Sequence, residues 1–269
     1  MVGVHLCQPH EHASCAACCG IYNYVENTRS SLVQRFRYRT RLFSMVRQGR
    51  ISVHEYKDII RHREDSKRIY STIYTCEFVG FLDTREHRVG CLLHPMGNRG
   101  EDLRDNSFYG RDLCEGHFCP SYQKLDRNEA EIVLETIHDW YLYGIVITDI
   151  DFIKTFFRIV QDRLGEHVKA DRVSSSERTV HAVQTFFLTK LVWPFRDTMR
   201  PRFGKYYFIG EEYDIDAIDY QALGMETSPY DKIFLSLSSS FRSREELTRA
   251  EAYVSEIVEE FCDGYERLG

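Results

Sequence analysis

The sequence predicts a mainly α-helical protein with a small β-hairpin, in which a cysteine-rich, metal-binding N-terminal half packs on a helical C-terminal half. Three observations support this. Apolar residues recur at helical spacing along most of the chain, and one pair of short β-prone runs is separated by a turn-like loop. Eight of the nine cysteines lie in the first 119 residues. A shift in composition at Leu125–Asp126 predicts two regions, a cysteine-rich region 1–125 and an acidic, mostly helical region 126–269.

The N-terminal region is expected to alternate helix, hairpin and loop. Ser52 with Glu55 three residues later is a capping-box signal, which marks the start of a helix. The predicted elements are a helix over 27–48, a second helix from 52 to about 68, a hairpin with strands 78–82 and 88–90, and a polar loop over 97–113.

The C-terminal region is expected to be built from helices with one further hairpin. Asp126 with Glu129 and Ser243 with Glu246 are again capping-box signals. The predicted elements are helices from 126 to about 143, from 148 or 149 onward, from 176 or 177 to 192 and from 243 to about 267, a hairpin pairing 205–210 with 233–237, and a solvated acidic loop over 211–219.

Charge and hydropathy argue against several classes of partner. The formal net charge is −6, with a mildly basic N-terminal region and an acidic remainder, whereas nucleic-acid-binding domains are usually basic. No apolar run approaches the about 20 residues of a membrane span. The N-terminus lacks the basic start and apolar stretch of a signal peptide. A cytoplasmic protein without a membrane or nucleic-acid partner is therefore expected.

The cysteines are the main functional signal. In a reducing compartment, clustered thiols are more typical of metal binding than of disulfides, although buried core cysteines and disulfides stay open as alternatives. Cys15 and Cys18 form a C-x-x-C pair that can reach one metal from a single turn, and Gly20 allows a sharp turn after it. Cys18 and Cys19 are adjacent, so their side chains are expected to diverge. The candidate ligands are Cys7, Cys15, Cys18, Cys19, Cys76, Cys91, Cys114 and Cys119.

Other polar residues among these cysteines have supporting roles. Four histidines, His10, His12, His94 and His117, are candidates for alternate ligands or for donors to the ligands. Asp102 and Arg104 are expected to order the loop around the metal. Cys262 falls on the amphipathic last helix and is interpreted as a core residue. Zinc and iron both accept tetrahedral all-thiolate coordination, so the residue types leave the metal open.

Several of these motifs occur together in a known family. Cys15-Ala16-Ala17-Cys18-Cys19-Gly20, Gly90-Cys91-Leu92-Leu93-His94-Pro95, Asp102-Leu103-Arg104 and the closing Cys114 and Cys119 resemble the zinc- or iron-chelating cysteine-cluster family. That family has a CxxCC-type N-terminal motif and is sometimes labelled Fe–S oxidoreductase-like. The resemblance covers roughly residues 1–122 and implies a bound iron–sulfur cluster or zinc.

Two functions follow as hypotheses. The first is a metal-binding protein whose N-terminal cysteines hold an iron–sulfur cluster or zinc, with electron transfer or redox sensing as its role. The alternative is a protein-interaction module in which zinc is purely structural and a protein partner is bound. The sequence has no Walker A, G-x-G-x-x-G, G-x-S-x-G or H-E-x-x-H motif. Whether any reaction is catalysed, and on which substrate, is left open.

Overall fold

The computed structural model describes residues 5–64, 67–200, 206–209 and 212–267. Its described residues are mainly helical with short two-stranded hairpins, which confirms the predicted helical class. Among them, no helix has both the length and the apolar character required to cross a membrane. The chain forms two compact units. The cysteine unit comprises the described residues up to Cys119 together with Asp139–Gly144, and the helical unit comprises Pro120–His138 and the described residues from Ile145 onward.

The cysteine unit confirms the predicted first helix and first hairpin. Its elements are α1 (Arg29–Arg47), α2 (Val53–Arg63), the antiparallel strands β1 (Val79–Phe81) and β2 (Val89–Cys91), and α3 (Gly110–Gly116). Thr28 caps α1 by accepting a hydrogen bond from the Ser31 amide at 3.2 Å. Ser52 and Glu55 form the predicted capping box of α2.

The core of the cysteine unit lies between α1 and the hairpin. The Phe36 ring packs 5.9 Å from Phe81 and 5.6 Å from Trp140, measured between ring centroids. Arg39 is buried on the same face of α1 as Phe36, 1% exposed. A buried charge needs a complete set of partners. Arg39 has them, because its guanidinium donates to Glu64, to the Tyr24 hydroxyl at 2.8 Å and to the Cys76 carbonyl at 2.9 Å.

Two predicted boundaries in this unit are wrong. The second helix ends at Arg63 rather than near residue 68, because Glu64 leaves the helical backbone and its carboxylate accepts from Arg39. The polar loop predicted over 97–113 contains the start of α3. Asp105 and Ser107 accept from the first amides of this helix, those of Arg111 and Gly110, at 3.1 Å each. These two side chains replace a cap that the sequence pattern did not reveal.

The helical unit confirms the predicted helices that begin near residues 149, 177 and 243. Its elements are α4 (Ser121–Lys124), α5 (Arg127–Thr136), α7 (Ile150–Leu164), α8 (Ala170–Ser174), α9 (Glu177–Val192), β3 (Tyr206–Ile209), β4 (Glu212–Ile215), α10 (Asp231–Ser236) and α11 (Arg244–Glu266), and α6 (Trp140–Ile147) is divided between the units. The core stacks Phe186 between Phe152 at 4.2 Å and Phe156 at 4.1 Å.

Three predictions for this unit are corrected. The helix predicted over 126–143 is two helices, because the Asp139 carboxylate accepts from the amides of Tyr141 and Leu142 and begins α6. The strand predicted over 233–237 lies largely in α10, since a short apolar run is compatible with either element. The aromatic strand β3 pairs instead with β4, which lies in the acidic run predicted to be a loop.

Candidate metal centre

All eight candidate cysteines lie in the cysteine unit, and Cys262 lies on α11 of the helical unit. None of the nine cysteines is paired in a disulfide. Cys262 is 8% exposed, which confirms its interpretation as a core residue. The structure therefore separates the candidate ligands from the cysteine that was assigned no metal role.

The N-terminal loop brings Cys7 to the C-x-x-C turn. The Cys15 amide donates to the Cys7 carbonyl at 2.8 Å, and the Ala17 amide donates to the Cys15 sulfur at 3.4 Å. A short 3₁₀ turn, Ala17–Cys19, then ends at Gly20, whose φ of +78° lies in the left-handed region. A β-carbon on Gly20 would lie 2.1 Å from the Tyr74 carbonyl oxygen. Glycine is therefore required for this turn to approach the 74–75 backbone.

The same turn is joined to the segment that precedes the hairpin. The Cys76 amide donates to the Cys19 carbonyl at 2.9 Å. Cys91 lies at the end of β2, paired in register with Val79 of β1. The hairpin thus places Cys76 and Cys91, fifteen positions apart in the sequence, on neighbouring stretches of backbone.

Backbone amides point at three of the sulfurs in the same local pattern. The Cys15 sulfur accepts from the amide of Ala17, and the amides of Phe78 and Leu93 lower the pKa values of Cys76 and Cys91, in each case from two residues further along the chain. A hydrogen bond to a sulfur favours its thiolate form, and such bonds also tune metal-bound sulfurs. The backbone at these cysteines is therefore arranged for thiolates.

The last two candidates follow the hairpin. Cys114 lies in α3, with its sulfur 3.5 Å from the Ser107 hydroxyl. Cys119 follows Phe118, whose ring packs against His5 with 6.2 Å between centroids. Between the hairpin and α3, Arg104 forms a two-pronged hydrogen bond to Asp102, at 2.9 and 2.6 Å. This confirms that Asp102 and Arg104 order the loop, and the Arg104 guanidinium holds the pKa of Asp102 well below its usual range.

The thiols affect one another electrostatically. Burial raises the pKa of Cys15 well above its ordinary value, and the charges of Cys7, Cys18 and Cys119 raise it further. The pKa of Cys19 is raised by its hydrogen bond with Cys18 and by burial. The charges of Cys18, Cys76 and Cys91 raise it further. The charge of Cys114 contributes in the same way to the raised pKa of Cys91. All eight candidates therefore lie within electrostatic range of at least one other. Without a cation, Cys15, Cys19, Cys76 and Cys91 stay protonated at neutral pH, because each has a pKa above its ordinary value.

Two arginines counteract this repulsion. Burial raises the pKa of Cys76 to about 12, and the Arg39 guanidinium opposes the rise. Burial likewise raises the pKa of Cys91 to about 11, and the Arg104 guanidinium opposes that rise. Arg39 was not predicted to belong to the site. The available signal was its position, since Leu32, Phe36, Arg39 and Phe43 are the buried residues of α1 and lie at helical spacing.

The sulfurs are near one another but do not converge. Within the described ranges of the chain, no three His, Cys, Asp or Glu side chains are close enough together to hold a metal ion. Two of the candidate histidines have their Nδ1 atoms engaged locally: His94 accepts from the Met96 amide at 3.2 Å and His10 from the His12 amide at 3.1 Å. The cysteine sulfurs each move by rotation about a single bond.

No protein-family model, curated protein or solved structure matches this chain. The resemblance to the cysteine-cluster family consequently depends on the sequence motifs alone.

Proposed function

We propose that the cysteine unit is a thiolate metal centre, in which Cys7, Cys15, Cys18, Cys19, Cys76, Cys91, Cys114 and Cys119 bind zinc or an iron–sulfur cluster. The observation that carries the proposal is the gathering of these eight cysteines, none of them in a disulfide, in one compact unit, although they span most of the first 119 residues. The amides directed at Cys15, Cys76 and Cys91 support it. The proposal includes a reducing, cytoplasmic setting, in which thiols stay free.

The residues prepare the site for a cation. Thiols with raised pKa values release their protons only when a cation replaces them, so metal affinity falls as the pH falls. The amides and the two arginines then stabilise the resulting thiolates. An iron–sulfur cluster would supply electron transfer or redox sensing, whereas zinc in a closed four-thiolate site would be structural.

A second candidate is the interaction module with structural zinc. The observation that favours it is the exposure of large apolar side chains on the segment that carries Cys114 and Cys119: Phe108 is 65% exposed, Leu113 63% and Phe118 54%. Exposed apolar groups of this kind mark protein-binding surfaces when they form a patch. In this case the metal would fix the segment that a protein partner contacts.

The test is elemental analysis with an absorption spectrum on protein purified without oxygen. Iron with labile sulfide and a broad absorption band favours redox function, and near-integral zinc without colour favours the interaction module. The variants Cys15→Ser and Cys18→Ser should lose metal, whereas the matched control Cys262→Ser should keep it. Full metal content in all three variants would overturn the proposal, as would the absence of metal from the wild type.

A further inference from the structure

The eight cysteines are tied to one another by two separate groups of contacts. One group surrounds the C-x-x-C turn and the N-terminal loop, and the other surrounds the hairpin. We infer that the cysteines form two sets of four, each holding one metal centre, and that the adjacent Cys18 and Cys19 belong to different sets. The N-terminal set is Cys7, Cys15, Cys18 and Cys119, and the hairpin set is Cys19, Cys76, Cys91 and Cys114. This inference rests on the proposed function.

The first three members of the hairpin set are joined through the backbone. The Cys19 carbonyl accepts a hydrogen bond from the Cys76 amide at 2.9 Å. Beyond Cys76, the Phe78 carbonyl accepts from the Leu92 amide at 2.8 Å, one residue after Cys91. These two bonds place the three cysteines along one continuous strip of paired backbone.

Two further contacts connect Cys114 to this strip. The Leu103 amide donates to the Leu93 carbonyl at 3.1 Å, which holds the Arg104 loop beside the end of β2. Phe108, one residue after the Ser107 that contacts the Cys114 sulfur, stacks on Tyr74 at 4.5 Å between centroids. The segment leading into α3 is therefore fixed at both ends near Cys76 and Cys91.

The N-terminal set is held by different contacts. Cys7 and Cys15 share a backbone hydrogen bond of 2.8 Å, and Cys15 and Cys18 lie three residues apart across the 3₁₀ turn. The contact between Phe118 and His5 brings the end of the unit back to the loop that carries Cys7. Cys119 therefore directly follows a residue that contacts this loop, and its charge acts on Cys15.

The division falls between Cys18 and Cys19. The thiols of Cys18 and Cys19 hydrogen-bond to each other, which corrects the expectation that these side chains diverge, but it is the Cys19 carbonyl that accepts from the Cys76 segment. The electrostatic interactions follow the same grouping away from this pair, because Cys15 interacts with Cys7, Cys18 and Cys119, whereas Cys19 interacts with Cys76 and Cys91 in addition to Cys18. Cys18 and Cys19 also contact each other, so the two sets meet at this peptide bond. Four thiolates with one Zn²⁺ form a closed site of net charge −2 and release four thiol protons.

Double variants that remove two ligands from one set test the division. The protein is reconstituted with Zn²⁺, and bound metal is counted from its mass under native conditions. Cys7→Ser/Cys119→Ser should keep the hairpin-set zinc, and Cys91→Ser/Cys114→Ser should keep the N-terminal zinc. The mixed variant Cys7→Ser/Cys91→Ser should lose both. Equal metal loss in all three variants overturns the division and indicates one shared polynuclear site.

The wild-type protein provides a test that does not depend on the folding of variants. A chelator is added in steps, released thiols are alkylated, and adducts are counted on the intact chain. The division predicts species with zero, four and eight adducts beyond the metal-free Cys262, and fragmentation of the four-adduct species should find Cys18 and Cys19 modified in different molecules. Any other pattern overturns it. A wild type that binds neither zinc nor iron refutes the proposed function itself, whereas bound metal released from all eight cysteines together refutes only the division.

Discussion

Replacing Gly20 with alanine should damage the metal centre through the backbone alone. The φ of +78° places this residue in the left-handed region, where a β-carbon costs about 1–2 kcal/mol. The new β-carbon would also lie 2.1 Å from the Tyr74 carbonyl oxygen and 3.0 Å from the Thr75 α-carbon. Both neighbours are backbone atoms that cannot rotate away, so the 74–75 segment or the turn itself must move. Either movement strains the hydrogen bond between Cys19 and Cys76.

Gly49 offers a matched control in the same unit. Its φ of +68° is similarly left-handed, but a β-carbon there would meet no atom within 4 Å. Gly49→Ala should therefore lower the free energy of unfolding by about 1–2 kcal/mol without changing metal affinity. Gly20→Ala carries the same conformational penalty plus an overpacking penalty of about 1–3 kcal/mol.

The assay compares urea unfolding and zinc affinity, the latter by competition with a chelator, for both variants. If about 1.4 kcal/mol of the overpacking penalty is relieved in the metal-free state, zinc affinity falls about tenfold in Gly20→Ala. Equal stability and equal zinc affinity in the two variants would refute the argument that the turn is held against the 74–75 backbone.

Three further predictions concern buried charges and thiol reactivity. Arg39→Leu should lower the free energy of unfolding by about 3–5 kcal/mol in urea and weaken zinc binding, because the buried Cys76 carbonyl and Tyr24 hydroxyl lose this donor and the half-buried Glu64 carboxylate keeps only Arg35. The exposed Arg37→Leu should cost under about 1 kcal/mol, and equal effects would contradict the role of burial. In the helical unit, the carboxylate of the buried Asp149 lies 2.6 Å from the Lys190 nitrogen. Lys190→Met removes this cation and should lower the free energy of unfolding, measured by calorimetry, by about 3–5 kcal/mol with zinc content unchanged. A loss of zinc would show that the effect is not local. In metal-free protein Cys18 should be alkylated first, at a rate that rises through about pH 7. The reason is that a hydrogen bond from the neighbouring thiol lowers the pKa of Cys18 to about 7. Peptide mapping that finds another cysteine of the cysteine unit reacting faster below pH 8 would contradict this.

Local signals in the sequence predicted the helix starts well. Thr28, Ser52, Asp126, Asp149, Ser176 and Ser243 each cap a helix where the pattern placed one. Capping depends only on residues within one turn, so the sequence contains the necessary information. The run 233–237 was misassigned because its pattern fits both elements, and the choice depends on packing against distant residues.

The sequence identifies the candidate cysteines but not the contacts that join them. The clustering and spacing of the cysteines are properties of the sequence. The bonds that join Cys7 to Cys15 and Cys19 to Cys76 bring together residues up to 57 positions apart, which spacing cannot reveal. Arg39 was missed for a similar reason, because its role depends on Glu64 and on the Cys76 carbonyl.

The most direct test of the central claim compares the thiols before and after metal removal. Protein purified without oxygen is alkylated under native conditions, with and without prior chelation, and each cysteine is quantified by peptide mapping. The proposal predicts that the eight cysteines of the cysteine unit are protected from alkylation before chelation and react after it, while Cys262 reacts at the same rate in both samples. Equal reactivity of the eight cysteines in the two samples would contradict the proposal and show that they do not bind metal.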